Sequence, residues 1–543
     1  MRALLLDGYT DEPACLGVPP FISPNVRCMY GALVSAGMDV RYATIDQWRA
    51  GEVDTGRFGL LALVRNVAVP GKYLRGMPAS DRELATIGGV FRGTSVLSMS
   101  DQAVPDGVRN AFDHVATGDP DAGLFDLVVG DGFSDRRRTR EEWGRWLEAG
   151  ARACAEHPDH GSMLIAEVQM YRGCVRFASG GCRFCVEPLL GTVISRTPEE
   201  IVAEVKALAR AGVRNIRLGA QSCVYSYMAK GIGESDTPTP DPDAVEAVLK
   251  GVRAVADPEV FHLDNANPAV VANHPEEARR ITGSIVRHCS SGNVLAFGLE
   301  SADPEVARAN NLNATPEQTM EAIRIVNELG AAVGGSGLPA VLPGINFLCG
   351  LHGETRRTYE TNMHFLRSVL DEGLLLRRIN IRQVLPIRDE FPGVRAKAEF
   401  SRFKRAVREK IDLPMLGRMF PDGTVLRGVY TELREGGRTF GRQVGTYPIL
   451  VGIPYPVDLG RRMDIAVTGR GYRSLTGIVH PTDANRATLS MLESVPGIGR
   501  RRAMAIVRAR PFTRPDDLWA IFDEAGARDL ARFHLVCGDV GRQ

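Results

Sequence analysis

Long apolar stretches are missing from this chain. No run of about 18 or more uninterrupted apolar residues occurs, so a membrane span is not expected. The opening MRALLLDGYTDEP has no extended apolar segment behind a basic one. It reads as a buried strand running into a loop rather than a secretory leader. An excess of either charge is missing too: 66 Lys and Arg stand against 65 Asp and Glu, a net charge of +1. No global field then recruits nucleic acid or an anionic membrane, and any nucleic-acid contact needs a local patch. Cysteine is too thin for a disulfide scaffold, with 10 among 543 residues. The expectation is a soluble cytoplasmic protein.

What is present is ample material for several cores. The apolar fraction of 44% and charged fraction of 24% are globular, and 543 residues suggest about three to five units. Residues 1–160 read as a Rossmann-like α/β unit. The runs ALLLD (3–7), LLALV (60–64) and LFDLVVG look like buried parallel strands, with a helix from Pro24 to about Ala36. Asp7 ends the first run and leads into a Gly/Pro-rich loop, where such sheets bind ligands. From 161 to 395 strand and helix alternate regularly. Strands are expected at AEVQMYRG, 215–221, 260–265, 294–301, 345–350 and 377–387. Helices start with Thr-Pro-Glu at 197 and 315. Six such strands are fewer than the eight of a closed barrel, so an open, partial (β/α)6 barrel is expected. Residues 396–420 read as a basic helical connector. Short β-type segments separated by glycines over 421–480 suggest a small β-barrel. Residues 485–543 are helical again.

Three of the cysteines lie together in YRGCVRFASGGCRFCVEP, residues 171–188. The spacing is Cys174-x7-Cys182-x2-Cys185. Three thiolates can hold three irons of a four-iron four-sulfur cluster, leaving the fourth iron open to a substrate or cofactor. The short second spacing lets one turn present two sulfurs, and Gly180 and Gly181 allow close backbone approach. Two other readings remain open here. A structural zinc site would need a fourth ligand, which Cys154, His157, His160 or Cys223 could supply. A thioredoxin-like pair of Cys182 and Cys185 would leave Cys174 without a role. Most of the remaining seven cysteines read as buried small apolar residues.

With these residues in view, residues 161–395 resemble the radical S-adenosylmethionine (SAM) superfamily. Arg172-Gly173-Cys174 and the aromatic Phe184 before the last cysteine match the signature of that family, while x7 replaces its usual x3. The resemblance implies a fold, a cofactor pair and a reaction. The fold is an α/β partial (β/α)6 barrel. The cofactors are a 4Fe-4S cluster and SAM. A reduced cluster donates an electron to SAM, releasing methionine and a 5′-deoxyadenosyl radical. It also implies a one-electron donor such as ferredoxin or flavodoxin. Gly219-Ala220-Gln221 stands where the family has a Gly-Gly-Glu that receives the methionyl amino group. Glu300 and Ser301 stand at the polar strand end that contacts the SAM ribose and carboxylate. Arg382, on the sixth strand with Asn380, completes the implied SAM contacts. Glu354, in the segment Gly350 to Thr355, reads as a helix-start residue.

The flanking units carry resemblances of their own. Residues 1–160 look like the cobalamin-binding-type domain that precedes many such barrels. The Asp-x-His-x-x-Gly cobalt-ligand motif is absent, and His114 is the sole histidine of the first 150 residues. Cobalamin, held without a histidine, is therefore possible but not favoured. Cys15, Cys28 and Cys154 match poorly the pattern of a second cluster. The 421–480 segment looks like a TRAM-type barrel, with Arg438, Arg442, Arg461, Arg462, Arg470 and Arg473 beside Phe440, Tyr447 and Tyr472. Arginine with aromatics suits single strands of nucleic acid. Gly497 and Gly499 in VPGIG resemble the hairpin of a helix-hairpin-helix, whose backbone N–H groups cradle phosphate. Arg500, Arg501 and Arg502 follow, and residues 486–543 hold ten Arg, no Lys and seven acidic residues. The expected function is radical SAM modification of nucleic acid, with structured RNA such as tRNA favoured, by methylthiolation, methylation or a related step. Alternatives are a radical SAM enzyme acting on a protein or small metabolite, and a nucleic-acid-binding protein with a structural metal site.

Overall fold

The computed structural model describes residues 2–9, 20–65, 77–98, 104–522, 533 and 535–537. Most of the loop after the first strand, with Cys15, and much of the segment beyond 522 lie outside the described residues.

The N-terminal unit is a five-stranded parallel sheet of Arg2–Asp7, Asp39–Thr44, Leu60–Val64, Thr94–Ser98 and His114–Ala116. The spatial order is second, first, third, fourth, fifth, one of the two common doubly wound orders. Leu60–Val64 is buried at every residue, as a parallel strand covered on both faces requires. Asp7 is spent locally, accepting from Tyr9 N (2.8 Å) and the Tyr42 hydroxyl (2.9 Å). One expected strand is instead a helix. LFDLVVG lies in Pro120–Val129, which begins with proline in its first turn and ends at Gly130 with φ 101°. A short apolar run has no periodicity to separate strand from helix, and here the flanking proline and glycine decide it.

The second unit carries six parallel strands in two sheets: Ile165–Gln169, Asn215–Gly219 and Val260–Leu263, then Asn293–Glu300, Val341–Cys349 and Arg378–Gln383. A parallel bridge between Ala266 and Phe297 joins the sheets. The barrel is partial and open, as the strand count suggests. Its first edge is covered by Phe21–Ile22, which pairs in parallel with Ile165–Ala166. A piece of the N-terminal segment thus caps a strand edge that would otherwise expose unpaired backbone. The helix Pro198–Arg210 follows its sequence signals, with Thr197 and Glu200 forming a reciprocal capping box.

A buried ionic contact locks the two units. Glu204 accepts from Arg27 of the N-terminal helix Pro24–Ser35 (2.5 Å) and from Arg196 (2.5 Å), all three side chains at most 1% exposed. Arg27 also donates to the Glu167 carbonyl.

Residues Lys397–Val407 and Leu413–Met419 are helical and bury Phe400, Phe403, Met415 and Met419. Beyond them, Val425–Glu435, Arg438–Arg442, Leu450–Ile453, Ser474–His480 and Arg462–Arg470 close into a five-stranded barrel in that spatial order. The connection between its second and third strands enters the lumen of the larger barrel. There the Tyr447 hydroxyl donates to Asp264 (2.8 Å), and Thr446 N donates to His262 Nδ1 (3.2 Å). Helices Leu489–Glu493 and Arg500–Ala509 follow. No helix among the described residues is long and apolar enough to cross a membrane.

Candidate active site on the cysteine loop

Cys174, Cys182 and Cys185 stand on the wall of one cavity of about 510 Å³ at the carboxyl ends of the barrel strands. The loop that carries them springs from a two-residue antiparallel ladder, Tyr171–Arg172 against Ile194–Ser195. Arg176 is the hub of the seven-residue segment and is only 4% exposed. Its backbone N–H donates to Cys174 Sγ (3.4 Å) and its guanidinium to Cys182 Sγ (3.2 Å). The same guanidinium donates to Asp236 (3.0 Å) and to the Asn311 carbonyl (2.9 Å).

Two distant residues clamp this loop. The Asn311 carboxamide donates to the carbonyls of Ser179 (3.3 Å) and Gly181 (2.8 Å). Arg388, just past the sixth strand, donates to the carbonyls of Gly180 (2.7 Å), Cys182 (3.1 Å) and Cys185 (3.3 Å). Gly181 has φ 59°, and a Cβ there would collide with the Pro188 ring. Burial pushes all three thiols up, Cys182 to about 11, while Arg176 pulls Cys174 and Cys182 back down. They stay protonated near neutral pH until a bound metal displaces the proton.

A zinc ion wants four donors roughly 2.0–2.3 Å from one point. Among the described residues no three His, Cys, Asp or Glu side chains converge in that way. Cys223 lines the same cavity, but its sulfur accepts from Asn267 N (3.2 Å). Three thiols along one cavity wall suit a larger multi-iron group with one open corner. Cys28 and Cys154 are fully buried in apolar cores, away from any loop surface.

The expected SAM contacts divide. Phe184, Gln221 and Glu300 line the cavity. Glu300 gets there through a β-bulge between Gly298 and Glu300 and a φ of 62°, which re-aims the side chain. Burial raises its carboxyl to about 8, against the opposing pull of Arg382. Arg382 acts at that distance and is not itself on the wall. The Gln221 carboxamide is turned to backbone, donating to Leu218 O (3.1 Å) and accepting from Met170 N (3.4 Å). Gly219 supplies space: a Cβ would collide with the Glu167 carboxylate and the Arg217 guanidinium. Ser301 is a correction. Its hydroxyl accepts from Asp303 N (3.2 Å) and it faces a separate cavity between the helices that follow, because alternation turns the residue after Glu300 to the opposite side. Glu354 is a helix-start residue as expected, accepting from Gly350 N (2.6 Å). Sequence reasoning missed Glu167, Gln169, Asn265 and Asn346 on the same wall. The period-2 pattern of the strands would have pointed to Glu167 and Gln169, since alternate residues share a face.

Residues 168–366 match the radical SAM superfamily. An uncharacterised protein of Methanocaldococcus jannaschii is 41% identical over 506 residues, 88% of this chain and 93% of that protein. The chain belongs to the radical SAM superfamily. A tRNA-2-methylthio-N(6)-dimethylallyladenosine synthase of Methylococcus capsulatus is 23% identical over 332 residues, 59% of this chain and 65% of that enzyme. The solved structure of the radical SAM methyltransferase TsrM from Kitasatospora setae, with cobalamin and a [4Fe-4S] cluster bound, aligns with a TM-score of 0.49 at 14% identity, covering 100% of this chain and 92% of that one. As a radical SAM enzyme the chain uses a 4Fe-4S cluster and SAM.

The expected nucleic-acid contacts also divide. The helix Arg500–Ala509 starts at Gly499 with no side-chain cap, so no capping side chain takes up its first N–H groups. Arg500 and Arg501 are exposed, although Arg500 reaches Glu493 (3.3 Å). Arg502 folds back onto the Gly497 carbonyl (2.9 Å). Arg442 is a correction: it is 2% exposed and its guanidinium pairs with Glu432 (2.7 Å). A buried arginine already neutralised by a carboxylate has nothing left for a strand of nucleic acid. Tyr447 likewise is buried in the barrel lumen, while Tyr472 is 50% exposed.

Proposed function

We propose that this radical SAM enzyme modifies RNA, and that Cys174, Cys182 and Cys185 hold three irons of its cluster, leaving the fourth for SAM. When bound and reduced, the cluster supplies the electron that cleaves SAM to methionine and the 5′-deoxyadenosyl radical. The chain's own residues do the rest. Arg176, Asn311 and Arg388 hold the cysteine loop in one shape, and the Arg176 guanidinium tempers the negative charge of two thiolates. Phe184 lines the cavity and gives that part of its wall an apolar surface. Glu300, protonated at neutral pH, can donate as well as accept a hydrogen bond to a SAM hydroxyl or carboxylate. Glu167 and Gln169 face the same space with polar groups for the methionyl end.

The observation that carries the RNA reading is the uncapped start of Arg500–Ala509, with exposed Arg500 and Arg501 beside it. Such a start binds phosphate through backbone N–H groups and side-chain charge without reading sequence. The relative that acts on tRNA and the small closed barrel support the same reading. Methylthiolation, methylation and related carbon-centred modifications all fit. A one-electron donor such as ferredoxin or flavodoxin completes the system. The test is a comparison of RNA nucleoside mass profiles from cells with and without the gene. A nucleoside that disappears with the gene and returns on complementation is expected; an unchanged profile refutes the reading.

A further inference from the structure

The loop that carries the cysteines is gripped at its base by the N-terminal unit. Arg172 ends the first strand of the short ladder and lies two residues before Cys174. Its guanidinium donates to Asp119 (2.8 Å) and lies over the ring of Trp143 at 5.9 Å. Both partners belong to the N-terminal unit. Asp119 immediately precedes the helix Pro120–Val129, and Trp143 sits in the helix Arg140–Gly150. Arg196, just past the other strand of the ladder, lies over the same ring at 5.7 Å. Its backbone N–H donates to the Met170 carbonyl (3.0 Å). The two arms of the ladder thus rest on one indole.

Asp119 is itself held firmly. It is 5% exposed, and besides Arg172 its carboxylate accepts from Arg138 N (2.9 Å) and the Arg137 guanidinium (3.2 Å). Just before it, the N–H groups of Thr117 and Gly118 donate to the Asp135 carboxylate (2.7 and 3.3 Å), and a Cβ on Gly118 would collide with the Asp135 carbonyl. Burial alone would raise the Asp119 carboxyl; Arg138 and Arg172 outweigh it and hold the group below the ordinary carboxylate value. Beyond Arg172 the chain bends at Gly173, with φ 93°, whose carbonyl accepts from the Ser222 hydroxyl (3.2 Å). Only Gly173 separates Arg172 from the first thiol, so a shift of Arg172 carries Cys174 with it.

We propose that Asp119 is a positioning residue for the cluster. Through Arg172 it fixes where Cys174 presents its sulfur, so the N-terminal unit takes part in building the active site. A group that orients a metal ligand from outside typically matters by about 10–100-fold, and a charge-assisted contact holds direction as well as distance. The inference rests on the cluster being held by Cys174, Cys182 and Cys185, and not on the RNA reading.

The test uses the full chain, reconstituted anaerobically. The forms are unchanged, Asp119→Asn, Arg172→Gln, both together, Arg172→Lys, and Arg137→Gln as a control at the exposed partner of Asp119. Iron content, 5′-deoxyadenosine formation at saturating SAM and the electron paramagnetic resonance signal of the reduced cluster are read in each. Asp119→Asn and Arg172→Gln are each expected to slow formation by about tenfold per bound cluster and to broaden the signal. The double variant should match the slower single one within about twofold, as residues acting through one contact do. Arg172→Lys, which keeps a cation for Asp119, should recover most of the rate. Arg137→Gln should leave rate and signal unchanged. A double variant slowed by the product of the two single effects overturns the proposal, as does an Asp119→Asn protein whose rate and signal per cluster equal those of the unchanged chain. If Asp119→Asn does not fold, the two Arg172 variants decide: recovery in Arg172→Lys supports the proposal, and equal rates in Arg172→Lys and Arg172→Gln overturn it. An unchanged chain that takes up no cluster refutes the cysteine assignment and this inference with it. Failure in the variants alone, with the unchanged chain active, removes only the inference.

Discussion

At Cys174, removing one sulfur of three is expected to be decisive. Cys174→Ala should lose iron on reconstitution and abolish 5′-deoxyadenosine formation, read by iron analysis and product chromatography; retained cleavage would show that the sulfur is not a ligand. A quieter residue, His262, makes a pH-dependent prediction. Burial first, and Arg217 second, hold its imidazole down to about 4, and its Nδ1 accepts from Thr446 N of the small barrel. An unfolded histidine titrates near 6.5. Between about pH 6.5 and 4 the unfolded chain therefore binds a proton that the folded chain refuses. Stability should be level above 6.5 on this account and fall below it, by up to about 1.4 kcal/mol per pH unit. His262→Asn, which can keep an acceptor for Thr446, should flatten the difference between urea midpoints at pH 7 and pH 5. An unchanged difference would remove His262 from the explanation. That the three cysteines belong to one place was legible in the sequence, since they lie within a dozen positions, and the structure sets them on one cavity wall. The roles of Ser301 and Arg442 were not legible. Their surroundings are made by a strand bulge and by a carboxylate ten residues away across a hairpin, and neither leaves a local pattern.

Among the elements, the cysteine loop is the one whose length departs from the family pattern. Its four extra residues are folded inward around Arg176 and held by Asn311 and Arg388. Gly181→Ala should disturb this clamp through both its positive φ and its collision with Pro188. Folded protein is expected at near-normal yield, with circular dichroism unchanged, but with iron content and SAM cleavage reduced several-fold. Full iron occupancy in that variant would mean that the loop tolerates a different shape. The strands and capped helices of the barrel were readable in advance, since Thr-Pro-Glu starts and apolar strand runs report local constraints. The segment LFDLVVG was not, because seven apolar-rich residues suit either element. The loop clamp was not readable either, because its partners lie some 130 and 200 positions away.

Across the whole molecule, the units are joined through buried polar contacts as well as apolar ones. Glu204 balances Arg27 and Arg196 at the seam between the N-terminal unit and the barrel. Glu204→Gln leaves two buried guanidinium groups without their carboxylate. It should destabilise the protein by about 3–5 kcal/mol, seen as a lower thermal midpoint. A loss below about 1 kcal/mol would show that water reaches the seam. On the other side, Tyr447 carries the small barrel into the lumen of the large one, against Asp264. By itself the sequence determined the partial barrel and singled out three cysteines as a candidate site, because composition, periodicity and spacing act over a few residues at a time. Only the tertiary structure decided how Phe21–Ile22 caps the barrel edge and which arginines are neutralised. Those outcomes depend on which charges distant segments bring together, and Coulomb and desolvation energies are set by that final proximity rather than by position along the chain.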